Sequence, residues 1–352
     1  VEAPVEVREP QRGLIDTLAD RLTQRQGPQA GIALAALRTV GAPADRAYVD
    51  DRLTDVPAAQ LSWSGDVEWT PRRAWRRADV YDAERVLLVE FDGPQPHDLL
   101  VRILTTGGLM VDDILLSEPG AHERWRIAKP DVELAEHDVT AALTELADAL
   151  RTTDVYWPRQ SAPDYVRLRA LAHARSLAYL EKWPDWQPAP EVERQGLIDA
   201  FVAEAALELP EESVRLLADL FIDFGDGYLV AGPLAWNPGE VGRFLLDWVP
   251  RKAVLDPEDR VLLPAVLRAW VAFALRRRGL DEEDIEPVVA VVDELEDEFG
   301  EAYDDESAWG PGKQVMAALL QRGVDVGDQQ AVEHAVRAYN AEQLARRLVE
   351  GD

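Results

Sequence analysis

The residues able to do chemistry concentrate in one part of the chain. Asp79, Glu90, His97, Asp112 and Asp113 lie in a run of short apolar segments, and a cluster of carboxylates with one imidazole can ligate a divalent cation or act as acid and base. Asp112 and Asp113 are adjacent in a predicted strand, so they point to opposite faces, and Asp113 falls on the face of Leu109, Val111 and Leu115. An inward carboxylate is costly unless partnered. Asp79, Glu90 and His97 on neighbouring strands are the candidate partners, with all five as candidate catalytic groups and Asp112 and Asp113 as candidate metal ligands. The plainer expectation puts the two aspartates at a strand end or bulge, or pairs them with Arg85 or Arg102. No fixed-spacing signature supports the catalytic alternative, so the plainer one is preferred.

The remaining motifs argue against familiar catalytic types. His97, His122, His137, His173 and His334 show neither His-x-x-x-His nor Glu-x-x-His spacing, so no zinc site of recognised type is indicated. Ser62-Trp63-Ser64-Gly65 lacks the first glycine of a nucleophile elbow. Asp223-Phe224-Gly225-Asp226-Gly227-Tyr228 has none of the accompanying kinase motifs, and is expected to be a helix stop with both glycines at positive φ. Trp309-Gly310-Pro311-Gly312-Lys313 is too short for a phosphate-binding loop and predicts a turn into a helix. The chain contains no cysteine, which removes disulfides and thiolate chemistry and agrees with a reducing compartment.

These residues need elements to position them. Leu14, Leu18 and Leu22, then Ala33, Ala36, Leu37 and Val40, then Tyr48, Val49 and Leu53 predict three short helices. Segments 77–81, 85–91, 97–105 and 109–116 are rich in Val, Ile, Leu and Phe and separated by turn residues, predicting a four-stranded antiparallel meander. Leu99, Val101 and Ile103 share one face of its third strand, while the other face mixes Asp98 and Arg102 with Leu100 and Leu104. Helices should therefore cover at least one side. From about Val132 the pattern is helical to the end, with apolar stripes at Ile198, Phe201, Val202, Ala205 and Leu209, at Val214, Leu217, Ala218 and Phe221, and at Val332, Ala335, Val336 and Tyr339. Pro264 should kink its helix or begin it. The expected class is α+β and predominantly helical: residues 1–182 as short helices plus sheet, 183–190 as a Pro-rich linker, and 191–352 as about seven helices.

At 352 residues with 47% hydrophobic and 29% charged residues, the composition is that of a globular chain. The net charge is −29, which repels nucleic acid and anionic membrane and favours proteins or cations as partners. Trp69-Thr70-Pro71-Arg72-Arg73-Ala74-Trp75-Arg76-Arg77 could stack bases, but these arginines are expected to pair with the chain's own acids. Between Asp281 and Glu306, fourteen of twenty-six residues are Asp or Glu and none is Lys or Arg, predicting a helix with a dense anionic outer face.

In the C-terminal part, Phe244, Leu245 and Trp248 share a helix face, and Pro250 is expected to end that helix before Arg251 and Lys252. With Trp236 and Trp270 they form a large aromatic surface. Core packing is the default account, and the alternative makes Trp236, Phe244, Trp248 and Arg251 partner-binding residues.

The segments Trp75-Arg76-Arg77-Ala78-Asp79-Val80-Tyr81, the Gly107-Gly108-led strand with Asp112-Asp113, Thr153-Asp154-Val155-Tyr156-Trp157-Pro158, and 236–252 with Phe-Leu-Leu-Asp-Trp-Val-Pro-Arg-Lys resemble a family of uncharacterised actinobacterial proteins. The resemblance implies a cytoplasmic location and no particular activity. From the residues themselves, three functions are expected, in order. The first is a non-enzymatic cytoplasmic interaction or regulatory protein with a protein partner, a basic one being an option that the acidic charge allows, and no resident cofactor. The second is a hydrolase assisted by a divalent cation held by the sheet carboxylates. The third is nucleic-acid handling or DNA mimicry, with nucleic acid and membrane both disfavoured as partners by charge.

Overall fold

The computed structural model describes residues 10–25, 27–40, 43–56, 69–93, 95–156, 158–182, 189–324 and 334–338. The serine motif at Ser62, most of the Pro-rich linker, and Val332 and Tyr339 of the last stripe lie outside the described residues. The chain divides into two compact units, Val1–Trp186 and Gln187–Asp352. No described helix is long and apolar enough to cross a membrane.

The first unit begins with α1 (Pro10–Arg25), α2 (Pro28–Val40) and α3 (Pro43–Leu53). Their shared core is Ala19, Ala30, Leu34, Val49 and Val56, flanked by Ile15, Leu22 and Leu37. The buried face of α2 is thus rotated from the expected Ala33–Ala36 stripe, and Leu18 of α1 is exposed. Leu34 wins the inward position because its larger side chain removes more apolar area from water than an alanine does.

The sheet has five antiparallel strands in the order β4-β3-β2-β1-β5: β1 Thr70–Ala78, β2 Glu84–Asp92, β3 His97–Leu104, β4 Met110–Ser117 and β5 Ala135–His137. The fifth strand corrects the four-stranded expectation. It is three residues long, has no apolar alternation, and forms only because β1 offers it a free edge at Ala74–Arg76. β1 also begins seven residues earlier than expected, because its Trp-Arg composition hides a strand whose alternate residues Ala74 and Arg76 face the helices. One face of the sheet packs Leu87, Val89, Phe91, Leu99, Val101 and Ile103 against α5 (Val139–Val155) and α6 (Pro163–Ser176). The other face, with Trp75, Val86 and Leu88, is covered by Trp125 of α4 (Ala121–Ala128) and by Leu134.

Polar contacts fix the two covering helices. Glu145 of α5 receives Arg76 at 3.1 Å and Arg85 at 2.8 Å from the sheet. Asp154, at the end of α5, accepts from Arg169 Nε at 2.6 Å and Tyr165 Oη at 3.2 Å on α6, and its second oxygen lies 3.0 Å from His173 Nε2. Burial alone would raise the Asp154 carboxyl, but the His173 hydrogen bond and the Arg169 guanidinium overcome it and hold the group far below the usual carboxylate range. A depressed folded-state pKa contributes stability above the unfolded value, lost as pH falls through it, so this cluster weakens below about pH 4. Asp154→Asn should cost about 2–4 kcal/mol at neutral pH. It should also flatten the fall in stability between about pH 4 and pH 2, as measured by urea titrations across that range.

The second unit is helical: α7 (Glu191–Ala205), α8 (Glu211–Tyr228), α9 (Pro238–Arg243), a π turn over Phe244–Trp248, α10 (Val249–Lys252), α11 (Pro257–Arg277), α12 (Glu282–Glu294), α13 (Glu296–Asp304) and α14 (Pro311–Gln321). Three expectations are corrected here. α8 runs through Gly225 and Gly227 instead of stopping, since neither glycine takes positive φ. α11 does not begin at Pro264, which is buried inside it, and of the two alternatives the start of the helix is the one corrected. The chain also continues as helix past Pro250, because the preceding turn widens: Val249 N–H donates to the carbonyl of Phe244, five residues back. A proline lacks the N–H and crowds the carbonyl four residues before it, and a π turn accommodates both.

Candidate functional site

The five sheet residues singled out by type do not converge. Asp79 sits in the β1–β2 turn, where its Oδ1 accepts from the N–H groups of Ala83 at 2.6 Å and Glu84 at 3.1 Å. Glu90 is buried and accepts from Arg72 at 2.6 Å. Asp112 occupies a bulge in β4, pairs with Arg102, and gives its carbonyl to Gln160 Nε2 at 3.3 Å. That bulge resets the strand alternation, so Val111 and Ile114 both face inward while Asp113 is exposed. The inward Asp113 expected from strict alternation is therefore corrected. Asp113 pairs in register with Arg102 and Glu90 with Asp98, so the two carboxylates lie four residues apart along β3. That is about 13 Å of strand rise. Among the described residues no three His, Asp or Glu side chains are grouped to hold a metal ion.

Sequence reasoning missed Asp98, which does lie opposite Glu90. Burial raises the Asp98 carboxyl, with Glu90 adding to the rise, while the N–H groups of Ala121, at 2.7 Å, and Gly120 oppose it. Its geometry is that of an anchor for the start of α4.

His97 lies on the other face, and here the structure places a second missed residue. Tyr165, Leu168 and Ala172 form the buried stripe of α6, and the next core-facing position of that stripe is Arg175. An arginine where the helical period calls for an apolar residue was the available signal. Arg175 is 8% exposed. Its guanidinium lies 4.1 Å from the Trp69 ring and 5.8 Å from that of Phe91, and its Nε donates to His97 Nε2 at 3.2 Å. His97 Nδ1 stands 2.9 Å from the Gln95 carbonyl, so Nδ1 carries the proton and Nε2 is the acceptor facing Arg175. Burial, with the Arg175 charge, lowers the His97 pKa and keeps the ring neutral. Burial and the charge of Arg46 bring Arg175 down to about 10, so it remains a cation at neutral pH.

No carboxylate lies within ion-pair distance of Arg175 among the described residues. The side chain instead lines a cleft of about 410 Å³ with Thr39, Trp69, His97, Leu116, Glu118 and Leu171. The Trp69 indole N–H is also buried there without an acceptor. A buried cation lining an open cleft, with no carboxylate beside it among the described residues, can receive an anionic group.

The other sequence candidates lie in structure rather than at an open site. Arg72, Arg73 and Arg76 of the Trp-Arg segment are paired with Glu90, Glu136 and Glu145. In the second unit Trp236 and Phe244 are fully buried and Trp248 is 9% exposed, surrounded by Phe221, Phe224 and Tyr228. Arg251 is half exposed and bonded to Asp247 at 3.0 Å.

The acidic stretch forms α12 and α13, with Ile285, Val288, Val292 and Phe299 inward. Arg260, Arg268 and Arg276, eight residues apart on α11, pair with Asp304, Asp293 and Glu282, and Arg268 also stands 3.8 Å from Glu296. Repulsion on this face is thereby reduced in the fold. Stability should still rise from about 10 mM to about 150 mM salt, and Arg268→Gln should steepen that rise. Melting temperatures of both proteins across the salt series check this; identical slopes would show that Arg268 does not relieve the repulsion.

No protein-family model, curated protein or solved structure matches this chain.

Proposed function

We propose that this chain is a non-enzymatic interaction protein whose first unit holds an anionic group of its partner in the cleft at Arg175. The observation that carries this reading is an arginine more than nine-tenths buried that lines a cleft and has no carboxylate within ion-pair distance among the described residues. Removing a charge from water costs several kcal/mol unless an opposite charge meets it. The folded chain bears that cost where an apolar residue would complete the α6 stripe, and a bound anion supplies the compensation. The hydrolase alternative requires Asp79, Glu90, His97, Asp112 and Asp113 to act together, and their separate positions lend it no support.

A ligand that binds only the folded state raises its melting temperature in proportion to the logarithm of its concentration. Benzoate, acetate, inorganic phosphate and sulfate, each titrated at constant ionic strength, should include at least one anion that raises the melting point of the wild type. The rise should disappear in Arg175→Met. A panel in which no anion shifts the wild type, or in which Arg175→Met shifts equally, would remove this reading.

A further inference from the structure

We infer that the group received by Arg175 is a single carboxylate, the C-terminal one of an extended, basic peptide lying along the outer edge of β4. This rests on the anion reading above and adds the chemistry and direction of the ligand. Three observations carry it.

The first is the arrangement of charge and donors. Arg175 Nε is committed to His97, which leaves the two terminal nitrogens, a fork whose parallel N–H bonds match the two oxygens of a carboxylate. His97 is neutral and contributes no second cation, and Glu118 lines the same cleft. Arg46 contributes positive potential from α3. Arg175 lies in the last turn of α6, whose dipole presents its negative end there. A monoanion suits these surroundings better than a phosphate dianion, which is usually met by several donors and cations or by a helix N-terminus.

The second is the strand leading to the cleft. β4 is an outer strand of the sheet. Its first half is closed on the outside, where Val111 N–H donates to Thr153 Oγ1 at 2.8 Å and Gln160 takes the Asp112 carbonyl. Beyond the bulge, Ile114–Ser117 pairs with no second strand among the described residues; the Ile114 N–H is taken by Asp113 Oδ1 at 2.9 Å, so an added strand would use the backbone from Leu115 on. Leu115 and Leu116 there are 49% and 41% exposed, and Leu116 is also a wall of the cleft. An extended peptide can add to such an edge through its backbone, with side-chain pockets setting preference. β4 ends at Ser117 beside the cleft, so a peptide added parallel to β4 brings its C-terminal carboxylate to Arg175.

The third is net charge. At −29, the protein repels acid-rich chains at long range, so the peptide that delivers one carboxylate is otherwise basic.

The test uses the full-length chain and calorimetric titration of three probes: the peptide Lys-Val-Lys-Val-Val with a free C-terminus, the same peptide as its C-terminal amide, and inorganic phosphate. The free acid should bind at least about tenfold more tightly than the amide, the factor expected for one charge-assisted pair. Arg175→Met should reduce the free acid to the level of the amide, and Arg175→Lys should restore part of the difference. The Met variant loses the His97 hydrogen bond and the Trp69 contact together with a buried charge that has no carboxylate beside it among the described residues, and should still unfold in one cooperative transition, which separates lost binding from lost folding. A peptide N-methylated at alternate residues should bind at least about tenfold more weakly than the unmodified one if the β4 edge is used. Equal binding of acid and amide, no binding of either peptide, or equal binding of the methylated peptide would each overturn the inference. Of these outcomes, an Arg175-dependent response to phosphate alone would leave the anion reading standing, whereas silence of every anion would take both away.

Discussion

Gly225→Ala is expected to destabilise the second unit by about 3 kcal/mol or more, at or beyond the upper end of the usual overpacking range. A β-carbon on Gly225 would stand 2.2 Å from Pro233 Cα, 2.6 Å from its Cβ and 3.0 Å from its nitrogen. Two of those atoms are backbone, so no rotamer change relieves the clash and α8 must move from the segment that follows it. Helix propensity acts in the opposite direction, since alanine is better than glycine inside a helix by about 1 kcal/mol. The same helix provides the control. Gly227 is exposed, and a β-carbon there would meet nothing within 4 Å. Gly227→Ala should therefore leave stability unchanged or raise it by up to about 1 kcal/mol. Urea unfolding of the two variants decides the matter: similar midpoints would mean that close packing against Pro233 is not what holds Gly225 in place.

The same pair of glycines shows why part of the fold was hidden in the sequence. Two glycines in three residues are the usual mark of a helix end, and nothing local reveals that Pro233 will press on the helix at one of them. Proline at 250 misleads for a related reason, because the π turn before it lets the helix continue. β2, β3 and β4 are legible to within a residue or so, because burial under helices concentrates Val, Leu, Ile and Phe in short runs that turn residues separate. β1 escaped because its outward positions are arginines that pair with Glu90 and Glu136, so it lacks the apolar composition of a strand.

In the candidate cleft, chemical type points to His97 as a catalytic group and passes over Arg175, to which His97 is hydrogen-bonded. Carboxylates were weighed by what they can catalyse, whereas the informative feature was a charge at a position whose helical period belongs to the core. Asp113 failed through an assumption of unbroken alternation, which a single extra residue at Asp112 defeats. Periodicity therefore carries functional information mainly where it is violated, and a bulge must be known before the violation can be read in a strand.

Trp248→Ala should cost the second unit about 3–5 kcal/mol, the range for deleting a large aromatic from a core. Trp248 is stacked on Phe244 at 5.6 Å and meets Phe224 edge-on at 5.5 Å and Tyr228 at 6.0 Å. Phe244 in turn meets Phe221 and Trp236, so the aromatic run that the sequence offered as a partner surface is a continuous interior network. Phe244 and Trp248, four residues apart, share one inward side, and the π turn over them lets the helix continue into Pro250. Loss of the indole leaves a cavity bounded by rings that cannot collapse without moving α8, which puts the expected cost toward the upper part of the range. Trp248→Phe retains the stacking partner for Phe244 and should recover more than half of the loss. Denaturant midpoints read for the second unit's transition provide the measurement. A cost below about 1 kcal/mol for the alanine variant would show that Trp248 is not part of the interior network, and would return it to the class of surface residues available to a partner.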